Sequence, residues 1–399
     1  MNRYVFSAVL LTLLGMPVAV GGEGRVLDAM DVLSFQQPKE KATVELVDGK
    51  VGKAIKFVFA DQCLNAFCFS KIRGAADWDS AAGISFWVKG DGSENMGGIQ
   101  FVWNEDYAIR YGYAFPIKST DWTQVVIRWS DLMPETSNAK ALPLGPGGNA
   151  PSKLGALWVG KWWYWKNFAA HSFAIDDIRL ETTIPPPAEA AKPAAPLQHV
   201  IEKLKAKQPI TIVTMGDSLT DYAHWANKPI NWPTLLKEKL KAKFGSEVTI
   251  VNPAMGGTEL RQNVLLIPRW LQQTPEPDLV TICFGFNDWN SGMRGEMFQK
   301  SMADAVDRVR RATNGKADVL LITTNPAVEF WDTLAELADG VRKAAAEKNT
   351  GLADTYAAFH EEGKTDREHL YCKDKTHMGP PGHEMIAKTV FGAIEAAAK

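Results

Sequence analysis

Residues 182–198 read TTIPPPAEAAKPAAPLQ, and this run constrains the chain more than any other feature. Proline fixes φ and removes a backbone donor, so a segment this rich in Pro and Ala forms no packed element and reads as a semi-rigid extended spacer. The chain divides there, and the hydrophobic period differs on the two sides. Before the spacer, short alternating segments at 83–89, 99–103, 124–129 and 173–180 are separated by clusters of Gly, Asp, Asn and Pro, the pattern of a β-sandwich. After it, apolar runs at 210–215, 248–251, 279–284 and 319–322 alternate with helical stretches at 232–244, 296–312, 334–348 and 383–398. Strand and helix in alternation imply right-handed crossovers and a parallel sheet covered on both faces, hence a three-layer α/β/α domain with its site at the carboxyl ends of the strands.

The N-terminus has Arg3, an apolar run at 4–16 and small residues at 17–22, the layout of a secretory signal and shorter than the roughly 20 residues a membrane span needs. The expected organisation is a signal at 1–22, a β-sandwich at 23–181, the spacer at 182–198 and the α/β domain at 199–399. The mature protein is then secreted or periplasmic, with no membrane span. A formal charge of -2 and the lack of a dense basic run argue against nucleic acid as a partner. Cys63 and Cys68 are close enough in sequence to pair in an oxidising compartment, a question that spacing leaves open, while Cys283 and Cys372 read as inert core thiols.

Residues 215–221 read MGDSLTD and stand where the first strand of the α/β half ends, so Ser218 is presented at the sheet edge. Gly216 permits backbone geometry closed to other residues, and Asp217 can tie the turn through local amides. Three further segments follow in order: NPAMGGT at 252–258, GFND at 285–288 and DKTH at 374–377. Together the four segments resemble the blocks of the SGNH (GDSL-like) hydrolases, over essentially everything after the spacer. That resemblance implies a flavodoxin-like parallel sheet and a serine esterase, with Ser218 as nucleophile, His377 as base and Asp374 orienting the imidazole. It further implies an oxyanion hole made by the backbone N–H groups of Ser218 and Gly257 and the side-chain amide of Asn287, with Gly256 leaving the glycine open by one residue.

The chemistry accounts for these residue types. A hydroxyl becomes a useful nucleophile when a base within hydrogen-bond reach takes its proton, and a third group fixes the base's tautomer. Donors already aimed at the developing oxyanion contribute roughly 3–4 kcal/mol each. No cofactor is needed for such a reaction. His383 is a rival base by residue type, but its place at the start of the last helix suggests capping or packing, and His224 and His360 read as surface residues. Tyr222, Trp225, Phe286 and Trp289 neighbour the blocks and either shape the pocket or pack the loops.

In the first half, GISFWVKGDG at 83–92, DWTQVVIRWSD at 121–131 and AIDDIRLE at 174–181 resemble carbohydrate-binding modules of the jelly-roll type. The resemblance implies a glycan-reading sandwich, with Trp87, Trp103, Trp162, Trp163 and Trp165 as candidate stacking rings, since the C–H face of a sugar packs on a flat aromatic. Each of these rings also reads as sandwich core. In KWWYW at 161–165 the rings cannot all point inward along a strand. Asp176 and Asp177 are candidate ligands for a structural calcium, or ordinary surface charge.

The leading expectation is a polysaccharide O-acetyl esterase acting on acetylated polysaccharide or oligosaccharide. The alternatives are a lipid or small-ester esterase with a non-catalytic accessory domain, and a glycan-binding protein with an inactive hydrolase domain. The spacer further predicts two halves that act independently on a small substrate.

Overall fold

The period-two alternation ahead of the spacer becomes two antiparallel sheets in the computed structural model, which describes residues 24–36, 41–190 and 192–399; the expected signal at 1–22 lies outside them. The strands are β1 (Arg25–Asp28), β2 (Ala42–Asp48), β3 (Lys53–Phe59), β4 (Ala66–Phe69), β5 (Gly83–Gly90), β6 (Met96–Trp103), β7 (Arg110–Pro116), β8 (Thr123–Arg128), β9 (Met133–Pro134), β10 (Leu154–Lys161) and β11 (His171–Glu181). One sheet has the order β2-β3-β11-β5-β8 with β1 also on β11, and the other runs β4-β10-β6-β7-β9. Their facing sides share a core that includes Phe57, Phe86, Ile99, Phe101, Leu157 and Phe173. Both Cys63 and Cys68 lie buried as free thiols, and burial pushes the Cys68 thiol up to about 12.

Strand β6 is buried at every position, which a sheet with one wet face would not produce. Ile99, Phe101 and Trp103 point into the core between the two sheets. On the opposite side, Met96 and Val102 belong to a second core that continues into the C-terminal part of the chain.

That C-terminal part holds a parallel sheet of β12 (Ile210–Gly216), β13 (Val248–Val251), β14 (Leu279–Cys283), β15 (Asp318–Ile322) and β16 (Gly351–Ala353), in the order β13-β12-β14-β15-β16. Numbered within the sheet this is 2-1-3-4-5, the flavodoxin-like order, whose reversal lies beside the first strand. The helices are α1 (Gln198–Lys205), α2 (Trp232–Phe244), α3 (Leu260–Leu265), α4 (Ile267–Gln273), α5 (Phe286–Asn290), α6 (Gly295–Ala312), α7 (Ala335–Lys348), α8 (Thr355–Glu362) and α9 (Pro380–Ala397). One sheet face packs Ile210, Ile212 and Leu279 with residues of α1, α2 and α9. The other packs Val213, Met215, Val280 and Ile282 with α3, α4, α6 and α7. No helix among the described residues is long and apolar enough to cross a membrane.

The spacer is not the sole link between the two halves. Met96, Val102, Trp158, Trp162 and Trp165 form one continuous core with Val264, Leu265, Ile267 and Trp270 of α3 and α4. Polar ties cross the same seam: Arg269 Nη1 donates to the Trp165 carbonyl at 2.5 Å, and Arg308 donates to the Ser130 and Asp131 carbonyls at 2.8 and 3.1 Å. The Pro/Ala segment is tethered as well, since Arg128 Nε donates to the Pro185 carbonyl at 2.8 Å and Asn349 Nδ2 to the Pro193 carbonyl at 2.9 Å. A sheet face carrying this many apolar side chains has to be covered, and α3 and α4 cover it.

The same packing corrects the reading of the tryptophans. Trp103 faces the core between the sheets, edge-on to Tyr111 at 6.0 Å. Trp162 and Trp165 lie 5.4 Å apart inside the shared core, so none of these three rings is open to a glycan. Residues 163–165 form a 3-10 turn rather than a strand; Trp163 is the ring of this cluster that reaches solvent, at 43% exposure. Trp87 is half-buried, with the Lys50 ammonium 5.0 Å from its ring centre. Asp176 and Asp177 are engaged elsewhere: Asp176 Oδ2 accepts the Val51 N–H at 2.8 Å, and Asp177 accepts Arg179 Nε at 2.7 Å. No group of three or more His, Cys, Asp or Glu side chains among the described residues is arranged to hold a metal ion.

Candidate active site

Strand β12 ends at Gly216, and the chain turns at once. A Cβ on Gly216 would sit 2.4 Å from Thr220 Oγ1, so the turn closes on a residue without a side chain. The Asp217 carbonyl accepts the Thr220 and Asp221 N–H groups at 3.0 Å, and its Oδ1 accepts the Leu219 N–H at 3.0 Å. Ser218 is thereby held at the carboxyl edge of the sheet, the position that the switch between β12 and β14 leaves open. Burial pushes the Asp217 carboxyl up to about 6, against the Leu219 hydrogen bond and the His377 imidazole, which pull it down.

The loop leading into α9 carries His377 and Asp374. Tyr371 bridges to Met378, and the Cys372 N–H donates to the His377 carbonyl at 2.7 Å, which pinches residues 372–377 into a tight loop bearing both partners. His377 Nε2 lies 3.0 Å from Ser218 Oγ and His377 Nδ1 lies 2.6 Å from Asp374 Oδ2. Asp374 Oδ1 also accepts the His377 N–H at 3.1 Å. Burial would raise the Asp374 carboxyl, but the hydrogen bonds from the His377 ring, the His377 N–H and the Thr376 N–H outweigh it and hold the group below its ordinary value. An ionised Asp374 on Nδ1 leaves the Nε2 lone pair directed at the Ser218 hydroxyl.

The loop after β13 is tied to the same turn. Asn252 Nδ2 donates to Thr214 Oγ1 and to the Thr220 carbonyl, both at 2.8 Å. The Gly256 N–H is taken by Asp221 Oδ2 at 2.9 Å, whereas the Gly257 N–H has no partner among the described residues. Gly257 has φ +78 with open space where a Cβ would stand, so glycine serves the backbone conformation there. Of the two glycines that the sequence leaves open, Gly257 is therefore the one with a donor to offer. Asn287, on α5, donates to the Thr258 carbonyl at 3.0 Å and lies 3.5 Å from Asp217 Oδ2.

Beside Ser218 lies a cavity of about 60 Å³, whose lining includes Asn287 and His377 together with Leu219, Phe286 and Ala327. A larger cavity of about 500 Å³ lies at the seam between the two halves, with Met133, Leu142, Val264 and Met297 among its walls; none of Ser218, Asp374 and His377 lines it.

Two histidines depart from their sequence reading. His224 stacks on His377, with ring centroids 4.3 Å apart and 27° between planes, and the 56%-exposed Trp225 stands edge-on to His377 at 5.7 Å. Burial, then the neighbouring His377, holds the His224 pKa below its ordinary value. His360 Nε2 donates to the Trp331 carbonyl at 2.9 Å, and the ring stacks on Tyr356. His383 is fully buried on α9, and burial pushes it down to about 4, so packing rather than proton transfer is its part. The sequence offers no signal for the His224 stack, because the contact joins residues 153 positions apart.

Residues 214–385 match the model of the GDSL-like Lipase/Acylhydrolase family. Similar solved structures include LAE5, an alpha/beta hydrolase enzyme from the metagenome of Lake Arreo, at 22% identity over 47% of this chain and 96% of that one, with a TM-score of 0.39. Axe2, an acetylxylan esterase from Geobacillus stearothermophilus, is 21% identical over 48% of this chain and 96% of its own, with a TM-score of 0.40. The lipase/acylhydrolase from Enterococcus faecalis is 22% identical over 47% and 96%, with a TM-score of 0.39. No curated protein matches the chain. The C-terminal part of this chain is a GDSL-like lipase/acylhydrolase domain.

Proposed function

We propose that this protein is an exported serine esterase that removes small acyl groups, acetyl above all, from the hydroxyls of a polysaccharide. The observation that carries the reading is the hydrogen-bonded series Asp374–His377–Ser218 opening onto a cavity of about 60 Å³. A small recess beside the nucleophile suits a short acyl group better than a long chain.

In the proposed reaction His377 Nε2 takes the Ser218 proton as Oγ bonds to the ester carbonyl carbon. The carbonyl oxygen becomes an oxyanion facing the Ser218 and Gly257 N–H groups and Asn287 Nδ2. His377 then returns the proton to the departing sugar oxygen as the C–O bond breaks, which leaves an acyl–Ser218 ester. Water repeats the sequence, giving its proton to His377 and its oxygen to the acyl carbon, and a carboxylic acid and free Ser218 result. Ion pairing with Asp374 stabilises the imidazolium at both stages. Amide donors alone hold the oxyanion, so the reading calls for no metal.

Support for a carbohydrate alcohol rests on the exposed aromatic faces of Trp225 beside His377 and of Trp163 on the N-terminal part. Export rests on the residues at 3–22. The test is hydrolysis of an aryl ester series from acetate to octanoate, with release of acetate from a panel of acetylated plant and algal glycans. Turnover is expected to fall steeply beyond short acyl chains and to vanish in Ser218→Ala and His377→Ala. A folded Ser218→Ala protein with near-normal turnover overturns the serine mechanism; preference for octanoate over acetate favours a lipid ester instead.

A further inference from the structure

The segment 258–261 joins the oxyanion loop to α3, and its successive residues face opposite ways. Thr258 and Leu260 are bound to the GFND block: the Thr258 carbonyl accepts Asn287 Nδ2 at 3.0 Å, and the Leu260 N–H donates to Asp288 Oδ1 at 3.0 Å. Glu259 and Arg261 are bound to the N-terminal half, at residues 136–141 beyond β9. The Ser137 hydroxyl donates to Glu259 Oε2, and Arg261 Nη1 donates to the Thr136 and Ala141 carbonyls, each at 2.9 Å. Ser137 is fully buried, and Arg261 is 5% exposed, so these contacts are shielded from competing water.

Glu259 also ties the first turn of α3 through its own N–H, which donates to Gln262 Oε1 at 3.0 Å. The residue at the helix start thus also receives the Ser137 hydroxyl, two residues from Gly257. A hydrogen-bond donor to an oxyanion acts through its position, and errors well under an ångström reduce its effect. The Gly257 N–H and Asn287 Nδ2 are set relative to each other by this short segment, whose outer side is clamped by the N-terminal half.

We infer that Ser137 and Glu259 are positioning residues for the oxyanion hole, so that the N-terminal half is a working part of the catalytic centre and not a tethered accessory. The inference rests on the oxyanion role of Gly257 and Asn287 under the esterase reading. It accounts for the loop at 136–141 being held at both its carbonyls and its buried hydroxyl.

The experiment compares Ser137→Ala, Glu259→Ala and Glu259→Gln in the full chain on a short-chain aryl acetate, with thermal melts of each. Ser137→Ala and Glu259→Ala are expected to lower kcat about tenfold with KM within about twofold, because transition-state contacts are lost and ground-state binding is not. Glu259→Gln keeps an oxygen for the Ser137 hydroxyl, and is expected to restore most of kcat. The double change Ser137→Ala with Glu259→Ala should cost no more than Glu259→Ala alone. Unchanged kcat in Ser137→Ala protein that melts like the wild type overturns the inference, as does a raised KM with kcat intact. These outcomes are separable from failure of the esterase reading, which is read from Ser218→Ala in the same assay.

Discussion

Glu135 offers a test of how the two halves are joined. It follows β9 at the seam, where its Oε2 accepts Gln100 Nε2 and the Tyr164 hydroxyl, both at 2.8 Å, and its Oε1 has no partner among the described residues. A Cβ on Gly112 would fall 1.8 Å from that oxygen and 2.7 Å from Leu265 Cδ1, so the glycine is what lets the carboxyl lie between the sheet and α3. Burial pushes the carboxyl up from 4.5 to about 7, against the pull of Gln100, Tyr164 and Arg110. An acid whose folded pKa is raised contributes its full stability below the unfolded value and loses it as pH climbs through the folded one. The loss therefore runs from about pH 4.5 to about 7, and at about 1.4 kcal/mol per pH unit it reaches about 3 kcal/mol. Glu135→Gln keeps the shape and one acceptor but does not titrate. Urea unfolding at pH 4.5 and pH 8 is expected to show the variant gaining about 3 kcal/mol on the wild type between the two, since every other titration is common to both proteins. A difference that stays within about 1 kcal/mol across that range refutes the argument that Glu135 is buried and protonated at the seam.

Asp374→Asn is expected to keep the fold and lower kcat by roughly 10²–10⁴, since it removes the charge that fixes the His377 tautomer; full activity would reduce the relay to Ser218 and His377. A chain beginning at residue 192 is expected to lose its cooperative melt or aggregate. It would bare Val264, Leu265, Ile267 and Trp270, which at roughly 1.5–3 kcal/mol each is on the order of a domain's whole stability; a sharp melt with undiminished aryl acetate turnover would contradict this. Chelators are expected to leave hydrolysis unchanged, because the proposed oxyanion donors are amides. Activity lost in chelator and restored by zinc would overturn that expectation, while a lowered melting temperature alone would mark a structural calcium near Asp176.

Much of the C-terminal half is legible from pattern. Helix α2 occupies Trp232–Phe244 and α9 Pro380–Ala397, close to the stretches expected at 232–244 and 383–398, because each has one face on the sheet and one in water. Helix α3 escaped notice for the opposite reason. It lies between the parallel sheet and the N-terminal half, so that even Arg261, Gln262 and Asn263 are buried, and no wet face remains to impose a period. Helix α4 spans 7 residues, too few to show one. The KWWYW cluster misled in a related way: a ring with its back to one sheet can still be buried if a second layer covers the other side, as α4 does for Trp162 and Trp165.

The sequence by itself determined the α/β alternation, the turn that carries Ser218, and the four segments whose order matches a GDSL-like hydrolase. These are local facts, written in spacing, turn chemistry and the period of a strand or helix. The tertiary structure decided the rest: that the Gly256 N–H is taken by Asp221 while the Gly257 N–H has no partner among the described residues, that His224 lies flat on His377, and that Ser137 reaches Glu259 across 122 residues. It also decided that the two halves joined by the spacer share a core at their seam. Contacts between distant segments depend on which surfaces are left apolar once each half has formed, and that is a property of the assembled layers rather than of any stretch of chain.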